Sequence, residues 1–348
     1  MQIHIEPFSV HKRVPLTISR GTRASSTNHW VRIVADGIEG WGEASPFSIG
    51  SEAQKPEQIA SDLAQVVPLL SSFHPLEHQR IECAIARASI CSAARAAIDV
   101  ALHDWLGKHV GLPLWQLWGL DLSRVGPTAV TVGISSPAGA VDRLAQWCAQ
   151  QQVASVKVKL GSPEGIEADQ AMFEALLPHV PEGAKVSIDA NGGWGLADAL
   201  VMAQWLAERG VTYLEQPLSV ADDGLLPELY DQSPLPVFID ESCFTGADIP
   251  RLAHCVHGIN IKLMKCGGLS EAKRMIHTAK ACGLQVMFGC YSDSAIANTA
   301  LAHLSSLADH LDLDSHFNLK DDPFSGATLV NGALVPNTDP GLGLSRHA

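Results

Sequence analysis

The sequence has few basic residues, few aromatic residues and no long apolar run. Lys and Arg number 24 against 37 Asp and Glu in 348 residues, which gives a net charge of −13. Because nucleic acid binding needs a positively charged surface, we expect no nucleic acid partner. No segment approaches the roughly 18 apolar residues of a membrane span, and no apolar signal-peptide core opens the chain. We therefore expect a cytoplasmic protein without membrane contacts.

The eight cysteines form no CxxC pair and no spacing with histidine that would make a zinc site. Scattered thiols of this kind are typical of a reduced intracellular protein. Apolar residues make up 46% of the chain, which is enough for a large core, and no segment has the composition of a disordered region. The length predicts one large domain or two modest ones.

The first third of the chain predicts an α+β unit. Strand-like alternation occurs at 1–10 and 29–45, with a hairpin turn at Asp36-Gly37. Helical periodicity follows at 55–71 and 78–108. Gly107 is expected to end the second helix.

From residue 128 onward, short β-rich runs alternate with helical stretches about every 25 residues. The eight predicted strands are 128–134, 153–160, 185–190, 211–216, 236–240, 258–262, 284–289 and 309–314. Eight such cycles predict a (β/α)8 barrel, with a doubly wound open sheet as the alternative. No GxGxxG follows a strand, which disfavours the dinucleotide-binding form of that alternative. The tail, 317–348, has one strand-like segment, 327–335, and is expected to pack on the N-terminal sheet.

Carboxylates end three consecutive predicted strands of the barrel. Asp189, Glu215 and Asp240 are the last polar residues of the third, fourth and fifth strands. The carboxyl ends of barrel strands form the mouth where chemistry takes place, so these side chains should converge. Three converging carboxylates need a cation to stay ionised, and oxygen-only ligands indicate Mg²⁺, with Mn²⁺ as a substitute. The alternative is three ordinary surface ion pairs.

Lysines end the second and sixth predicted strands, which lie opposite each other in an eight-stranded barrel. Lys159 and Lys262 should therefore face each other across the metal, with Lys157 beside Lys159 on the same strand face. A metal acidifies the α-proton of a bound carboxylate, so one lysine can remove that proton and the other can return one to the opposite face. This arrangement predicts racemisation or epimerisation, and the alternative is solvated surface amines.

Asp312 and Asp314 end the eighth predicted strand, opposite the fourth. They should form a second, anionic pole across the mouth from the metal. A dipeptide carries a carboxylate at one end and an ammonium at the other, so it fits between these poles. The alternative is a strand-end cap or a salt bridge between loops.

Seven segments spread over nearly the whole chain match the pattern of a known family. They are AAIDVALHDWLGKHVGLPLWQLWG at 96–119, KVKLG at 157–161, DANGGW at 189–194, LEQPL at 214–218, DESC at 240–243, NIKLMKCGGL at 260–269 and LDLD at 311–314. On these residues the sequence resembles the muconate-lactonizing subgroup of the enolase superfamily, and within it most closely the dipeptide epimerases of the Ala-Glu type.

The resemblance implies a modified (β/α)7β barrel, one helix short of the pattern count, under an α+β cap. The implied parts are a cap over 1–125, a barrel over 126–316 and a segment, 317–348, that returns to the cap. The implied metal ligands are Asp189, Glu215 and Asp240, and the implied bases are Lys159 and Lys262. Lys157 would contact the substrate carboxylate, and Asn191 and Glu241 would support the site. Asp312 and Asp314 would bind the substrate ammonium. The resemblance also implies a homo-oligomer.

Cap loops set substrate specificity in the family that the sequence resembles. The segment 18–23 resembles the corresponding loop of Ala-Glu epimerases, where Arg20 takes the place of an arginine that pairs with a substrate side-chain carboxylate. This implies conversion of L-Ala-L-Glu to L-Ala-D-Glu, and the alternative for Arg20 is an ion pair between cap and barrel. Tyr291 lies in the segment 289–294, where members of the resembled family more often have Met and Glu. Tyr291 is expected to reshape the pocket, so non-acidic dipeptides stay an alternative class of substrate.

Two other functions are alternatives to a dipeptide epimerase. One is a cycloisomerase or dehydratase of the same subgroup, of the muconate cycloisomerase or o-succinylbenzoate synthase type, in which one lysine is only an electrostatic stabiliser. The other is a catalytically silent barrel that binds a metal or ligand. The Asp312-x-Asp314 pair argues against the first, and the intact set of bases and ligands argues against the second.

Overall fold

The computed structural model describes residues 1–49 and 52–347. Its N-terminal part is an antiparallel sheet packed on helices, as the sequence predicts. The elements of this cap are β1 (Gln2–Ile18), β2 (Gly21–Ala35), β3 (Ile38–Ala44), β4 (Phe47–Ile49), β5 (Glu52–Gln54), α1 (Pro56–Leu70), α2 (His78–Ala88), α3 (Ser92–Val110) and α4 (Leu114–Leu117).

Strands β1 and β2 form an antiparallel ribbon that is much longer than the sequence alternation indicates. Their pairing continues to Ile18 opposite Gly21, with a register shift between His11 and Leu16. In the outer half, β2 carries mostly polar side chains on both faces, whereas β1 places Val14, Leu16 and Ile18 on one face. The β2 side of the ribbon therefore lacks the two-residue apolar period from which a strand is predicted. Arg20 lies in the turn at its tip, where the ribbon reaches the barrel.

The predicted helix at 78–108 is in fact two helices. Ser89 adopts a left-handed backbone conformation with φ of 52°, which ends α2. The following helix, α3, does not end at Gly107 but continues to a left-handed glycine cap at Gly111. Gly107 instead permits close packing of the C-terminal tail, because a Cβ there would collide with the tail backbone.

The barrel contains eight strands and eight α-helices. The strands are β6 (Val130–Val132), β7 (Ser155–Lys159), β8 (Lys185–Asp189), β9 (Leu214–Glu215), β10 (Val237–Ile239), β11 (Gly258–Ile261), β12 (Gln285–Phe288) and β13 (His310–Leu311). The helices are α5 (Pro137–Gln150), α6 (Ile166–Leu176), α7 (Leu196–Ala207), α8 (Leu226–Gln232), α9 (Ile249–Leu252), α10 (Leu263–Cys266), α11 (Leu269–Ala281) and α12 (Ala295–Ala302).

The barrel strands are parallel and pair in chain order from β6 to β13. The Ala129 N–H donates to the Leu311 carbonyl at 2.8 Å, and this contact between first and last strands closes the ring. A short 3₁₀ turn, Ser315–Asn318, follows β13 in place of an eighth helical layer. Because α10 and α11 share the connection from β11 to β12, the eight helices occupy seven connections. The architecture is therefore the (β/α)7β barrel, not the eight full cycles of the pattern count.

An aromatic layer fills the barrel interior at its N-terminal end. The Tyr213 ring centroid lies 4.7 Å from that of Phe238 and 4.5 Å from that of His310. Gly258 is required beside them, because a Cβ at that position would collide with the Phe238 ring. The polar mouth lies above this layer, and the cavity there is lined by residues of both the barrel and the cap.

The C-terminal tail divides between barrel and cap. Its strands are β14 (Phe324–Ser325), β15 (Thr328–Val330), β16 (Ala333–Val335) and β17 (Ser345–Arg346). The segment 327–335 is a hairpin, not one strand, and the Gly332 carbonyl in its turn accepts from Thr128 at the start of the barrel. Only the pieces around it reach the cap, where the Phe324 ring lies 5.7 Å from that of Trp30. Within the described ranges, no helix is long and apolar enough to cross a membrane.

Candidate active site

A layer of charged side chains lies directly above the aromatic layer of the barrel. Alternate residues of a strand share a face, so Glu215, Asp240 and Asp312 each point into the barrel two positions after an aromatic-layer residue. Asp189 and Lys159 hold the equivalent positions at the ends of β8 and β7. All five side chains are buried. Buried charges are costly unless they are paired or bind an ion, so their pairing shows what the site can hold.

Lys159 and Lys262 stand on opposite sides of the barrel mouth. Three strands separate β7 from β11 in either direction around the closed ring. Lys159 Nζ lies 2.5 Å from Asp189 Oδ2, and Lys262 Nζ lies 2.8 Å from Asp240 Oδ2. Each predicted base therefore pairs with a different predicted metal ligand.

Lys157 joins the remaining ligand candidate to the end of β13. Its Nζ lies 2.5 Å from Glu215 Oε2 and 2.6 Å from Asp312 Oδ2. Asp312 therefore belongs to the same charged layer as Glu215. This corrects the expectation that Asp312 forms part of a separate pole across the mouth.

Burial and ion pairing act in opposite directions on the pKa values of these groups. Burial raises the pKa of Asp189 and of Asp240, but the neighbouring ammonium groups outweigh it and both pKa values are lowered. Burial lowers the pKa of Lys157 and of Lys262, but the carboxylates outweigh it and both pKa values are raised. The pKa of Glu215 is raised, because burial and the Asp189 charge exceed the effect of Lys157.

Two buried residues hold the ligand candidates in place, and the sequence analysis missed both. Asn260 Nδ2 donates to Glu215 Oε1 at 2.6 Å. Lys265 Nζ lies 2.7 Å from Asp240 Oδ1 and donates to three backbone carbonyls. Asn260 precedes Lys262 by two residues on one strand face, so strand alternation could have identified it. Lys265 follows the strand in a short helix and has no such signal.

The oxygen donors of the site fit a divalent cation. Glu215 Oε2 and Asp240 Oδ1 are buried oxygens without a hydrogen bond, although each lies at ion-pair distance from a lysine. Three carboxylates with no nitrogen or sulfur donor among them suit Mg²⁺. Their oxygens do not all lie within 4.8 Å of one another; in the described ranges only His78, Asp99 and His103 form such a group.

Asp314 differs from Asp312 in having no cationic partner. Its Oδ2 accepts from the Thr131 N–H at 2.7 Å, and no lysine or arginine in the described part of the chain lies at ion-pair distance. Burial and the nearby Asp312 charge raise the pKa of Asp314 to about 6. Asp314 is therefore the member of the pair that is available to a bound cation.

The tip of the β1–β2 ribbon ties the cap to the barrel. Arg20 donates to the Glu241 carboxylate and, at 2.7 Å, to the Asn191 carbonyl, which also accepts from Ser19 Oγ at 2.9 Å. The Asn191 N–H in turn donates to Asp189 Oδ1 at 2.9 Å. Arg20 thus forms the cap-to-barrel pair that was its alternative role, and its contact with a substrate carboxylate stays a prediction.

Tyr291 brings an aromatic surface to the point where the mouth meets the cap. Its ring stacks on that of Phe47, with centroids 4.8 Å apart and planes 4° from parallel. Lys262 Nζ lies 4.4 Å from the Tyr291 ring centroid. The hydroxyl of Tyr291 is buried without a hydrogen-bond partner in the described structure.

Two cavities meet above the mouth, under the ribbon. The first cavity is lined by Thr131, Asp312 and Asp314. The second cavity is lined by Ile18 near the tip of the ribbon and by Phe47. Five residues line both cavities and mark their junction: Lys12, Leu16, Lys159, Cys290 and Tyr291.

Comparison with known families assigns both parts of the chain. Residues 2–119 match the mandelate racemase / muconate lactonizing enzyme N-terminal domain, and residues 139–347 match the enolase C-terminal domain-like family. The chain belongs to the mandelate racemase and muconate lactonizing enzyme family. This agrees with the resemblance seen in the sequence motifs.

Several similar members of the mandelate racemase and muconate lactonizing enzyme family are named epimerases. A hydrophobic dipeptide epimerase of a Flavobacteria bacterium is 42% identical over 99% of this chain and 97% of its own length. An L-Ala-D/L-Glu epimerase of Bacteroides thetaiotaomicron is 33% identical over 99% of this chain and 88% of its own. The solved dipeptide epimerase of Enterococcus faecalis, complexed with Mg and L-Leu-L-Tyr, is 31% identical over 99% of both chains, with a TM-score of 0.91. This family member is an enzyme of the isomerase class.

Gly289 is a further residue of this family member that the sequence analysis did not assign. A Cβ at Gly289 would lie 2.6 Å from Asn260 Nδ2 and 2.9 Å from Lys262 Cε. The absence of a side chain therefore leaves the space that the Lys262 side chain crosses to reach Asp240.

Proposed function

We propose that this family member is a dipeptide epimerase that inverts the α-carbon of the C-terminal residue, converting L-Ala-L-Xaa to L-Ala-D-Xaa. The observation that carries the proposal is the placement of Lys159 and Lys262 on opposite sides of one mouth, each paired with a different buried carboxylate. The names of similar proteins, which include hydrophobic dipeptide epimerase and L-Ala-D/L-Glu epimerase, support it.

The two lysines would move the proton while other residues hold the substrate. Asp189, Glu215 and Asp240 would hold a bound Mg²⁺, or Mn²⁺ as a substitute. The metal ion would supply positive charge that acidifies the α-proton next to the substrate carboxylate. Lys159, as a free amine, removes the proton from one face, and Lys262, as an ammonium, donates one to the other face. The roles exchange in the reverse direction. Lys157 adds a positive charge beside the substrate carboxylate.

The Asp314 carboxylate, which has no cationic partner in the described ranges, supports a substrate with an amino terminus. It lines the cavity that opens from Lys159 away from Lys262, so it can accept the substrate ammonium. A cycloisomerase or dehydratase that acts on an acid without an ammonium has no need of such a group. Asp314 therefore favours the epimerase over those alternatives.

The second residue of the dipeptide is proposed to be apolar. Its side chain would enter the cavity lined by Ile18, Phe47 and Tyr291, where aromatic and aliphatic surface is available. Arg20 lines the same cavity, but its charge is matched by Glu241. Ala-Leu and similar dipeptides are thus expected to be better substrates than Ala-Glu.

The proposal is tested by incubating the protein with Mg²⁺ and either L-Ala-L-Leu or L-Ala-L-Glu in D₂O. We expect a one-dalton mass gain and formation of the D epimer, faster with Ala-Leu. Lys159→Ala and Lys262→Ala should each abolish epimerisation, while one of them still exchanges the α-proton from its remaining lysine. Lys185→Ala, at an exposed position at the far end of β8, is the control. Full epimerisation by both active-site variants would refute the two-base assignment.

A further inference from the structure

Lys12 is a buried lysine of the cap that the proposed mechanism does not use. Only 6% of the residue is exposed, and its ammonium makes no hydrogen bond and no ion pair with any residue in the described ranges. Its backbone is fixed from two sides, because it bridges to Leu319 and the preceding His11 carbonyl accepts from the Lys320 N–H at 2.9 Å. A buried ammonium without a partner is costly, so a group that arrives with the substrate is its expected partner.

The position of Lys12 limits which group of the substrate it can meet. It lines both cavities and therefore lies at their junction, together with Lys159. In the proposed function the α-carbon lies at Lys159, the amino terminus extends toward Asp314, and the second side chain enters the other cavity. The chemical group between the α-carbon and the N-terminal residue is the peptide bond, so the peptide bond crosses the junction.

The other donors at the junction have different surroundings. Cys290 Sγ contacts the Asp312 carbonyl at 3.2 Å, so its weak donor is already used. The Tyr291 hydroxyl is near Asp240, Glu241 and Arg20, on the metal side of the junction. Lys12 is near Asp314, on the side toward the amino terminus of a dipeptide, and does not pair with it. Asp293 is near both Lys12 and Tyr291 and does not distinguish the two.

We propose that Lys12 is a substrate-positioning residue whose ammonium donates a hydrogen bond to the peptide carbonyl oxygen of the dipeptide. The assignment rests on the proposed function, because it uses the placement of the α-carbon between Lys159 and Lys262. It adds a cap residue to the site and explains selection of a peptide over a free amino acid, which has no such carbonyl. A carbonyl oxygen buried without a donor would lose its hydrogen bonds to water.

The test compares wild type with Lys12→Met and Lys12→Gln in the presence of Mg²⁺. KM and kcat are measured with L-Ala-L-Leu, with L-Ala-L-Glu and with the thioamide of L-Ala-L-Leu, in which sulfur, a poorer acceptor, replaces the peptide oxygen. Dipeptide binding is measured separately by calorimetry. Lys320→Met is the matched control, because Lys320 is an exposed lysine next to the same strand pairing. Circular dichroism melting shows that each variant is folded.

We expect Lys12→Met to raise KM by about 10- to 100-fold for both dipeptides, with kcat changed much less, because a charge-assisted hydrogen bond is lost in binding. Lys12→Gln, which keeps an N–H donor, should lose less. The preference of the wild type for the amide over the thioamide should shrink in Lys12→Met. A KM equal to that of Lys320→Met, or a loss confined to Ala-Glu, would overturn the assignment, the latter by showing a side-chain carboxylate contact.

The two proposals fail in distinguishable ways. If the wild type binds dipeptides without exchanging the α-proton, the proposed reaction is wrong, while the calorimetric comparison with Lys12→Met still decides the carbonyl contact. If the wild type binds no dipeptide, both proposals are refuted.

Discussion

Removal of the Lys265 side chain should destabilise the whole barrel mouth. The side chain of Lys265 is fully buried, and its ammonium contacts the Asp240 carboxylate and three backbone carbonyls. Lys265→Met keeps a similar volume but removes the buried ammonium that donates to all of these acceptors. Removing one partner of a buried ion pair costs about 3 to 5 kcal/mol. At about 2 °C per kcal/mol for a chain of this size, the melting temperature should fall by about 6 to 10 °C.

The assay is thermal unfolding followed by circular dichroism, together with the epimerisation rate at 25 °C. Asp240 loses one of its two ammonium partners, so the rate should also fall, by at least about tenfold. Lys280→Met, at an exposed lysine of α11, is the matched control. A Lys265→Met melting temperature within about 1 °C of the control would refute the reasoning, because it would show that the four contacts contribute no stability.

Two further predictions concern the substrate end and the base. Burial raises the pKa of Asp314 to about 6, so this carboxyl is ionised above that pH and neutral below it. The kcat/KM for a dipeptide should therefore fall about tenfold per pH unit below 6, and Asp314→Asn should have a low kcat/KM without that pH dependence. An unchanged pH profile in the variant would contradict the ammonium contact. Gly289→Ala should reduce the epimerisation rate at least about 100-fold, because the added Cβ displaces Lys262. Gly224→Ala is the control and should keep the wild-type rate, because a Cβ there meets open space. Equal rates in both variants would show that Lys262 does not need the space beside Gly289.

The strand-end residues were predictable from the sequence because the barrel is regular. Parallel strands in chain order bring the last polar residues of successive runs to one mouth, so Asp189, Glu215 and Asp240 could be grouped from spacing alone. The same regularity placed Lys159 and Lys262 on opposite sides of the ring. The (β/α)7β form came from the family motifs, because the pattern count gave one cycle too many.

The sequence left an ion pair between cap and barrel open as the alternative role of Arg20, but the partners across this contact were beyond sequence reasoning. Arg20 and Lys12 lie on a ribbon whose second strand is mostly polar in its outer half, so the full length of the ribbon was not predicted, and Glu241 could not be identified as the partner of Arg20. The Glu241 partner of Arg20 lies more than two hundred residues away in the chain. Lys265 was missed for a different reason, since a buried lysine in a short helix has no period that distinguishes it from a surface lysine.

The pairing of the first strand with the C-terminal tail sets an order on how the site is completed during synthesis. The Lys12 backbone bridges to Leu319, and Phe324 packs on Trp30 of the cap sheet. These tail residues leave the ribosome only after the entire barrel sequence has emerged. Until the tail has emerged, the ribbon that carries Lys12 and Arg20 lacks its contacts with the tail, while the Arg20 contacts with Glu241 and Asn191 hold it over the mouth. A nascent chain stalled after the barrel would have both bases in place and no finished substrate chamber above them.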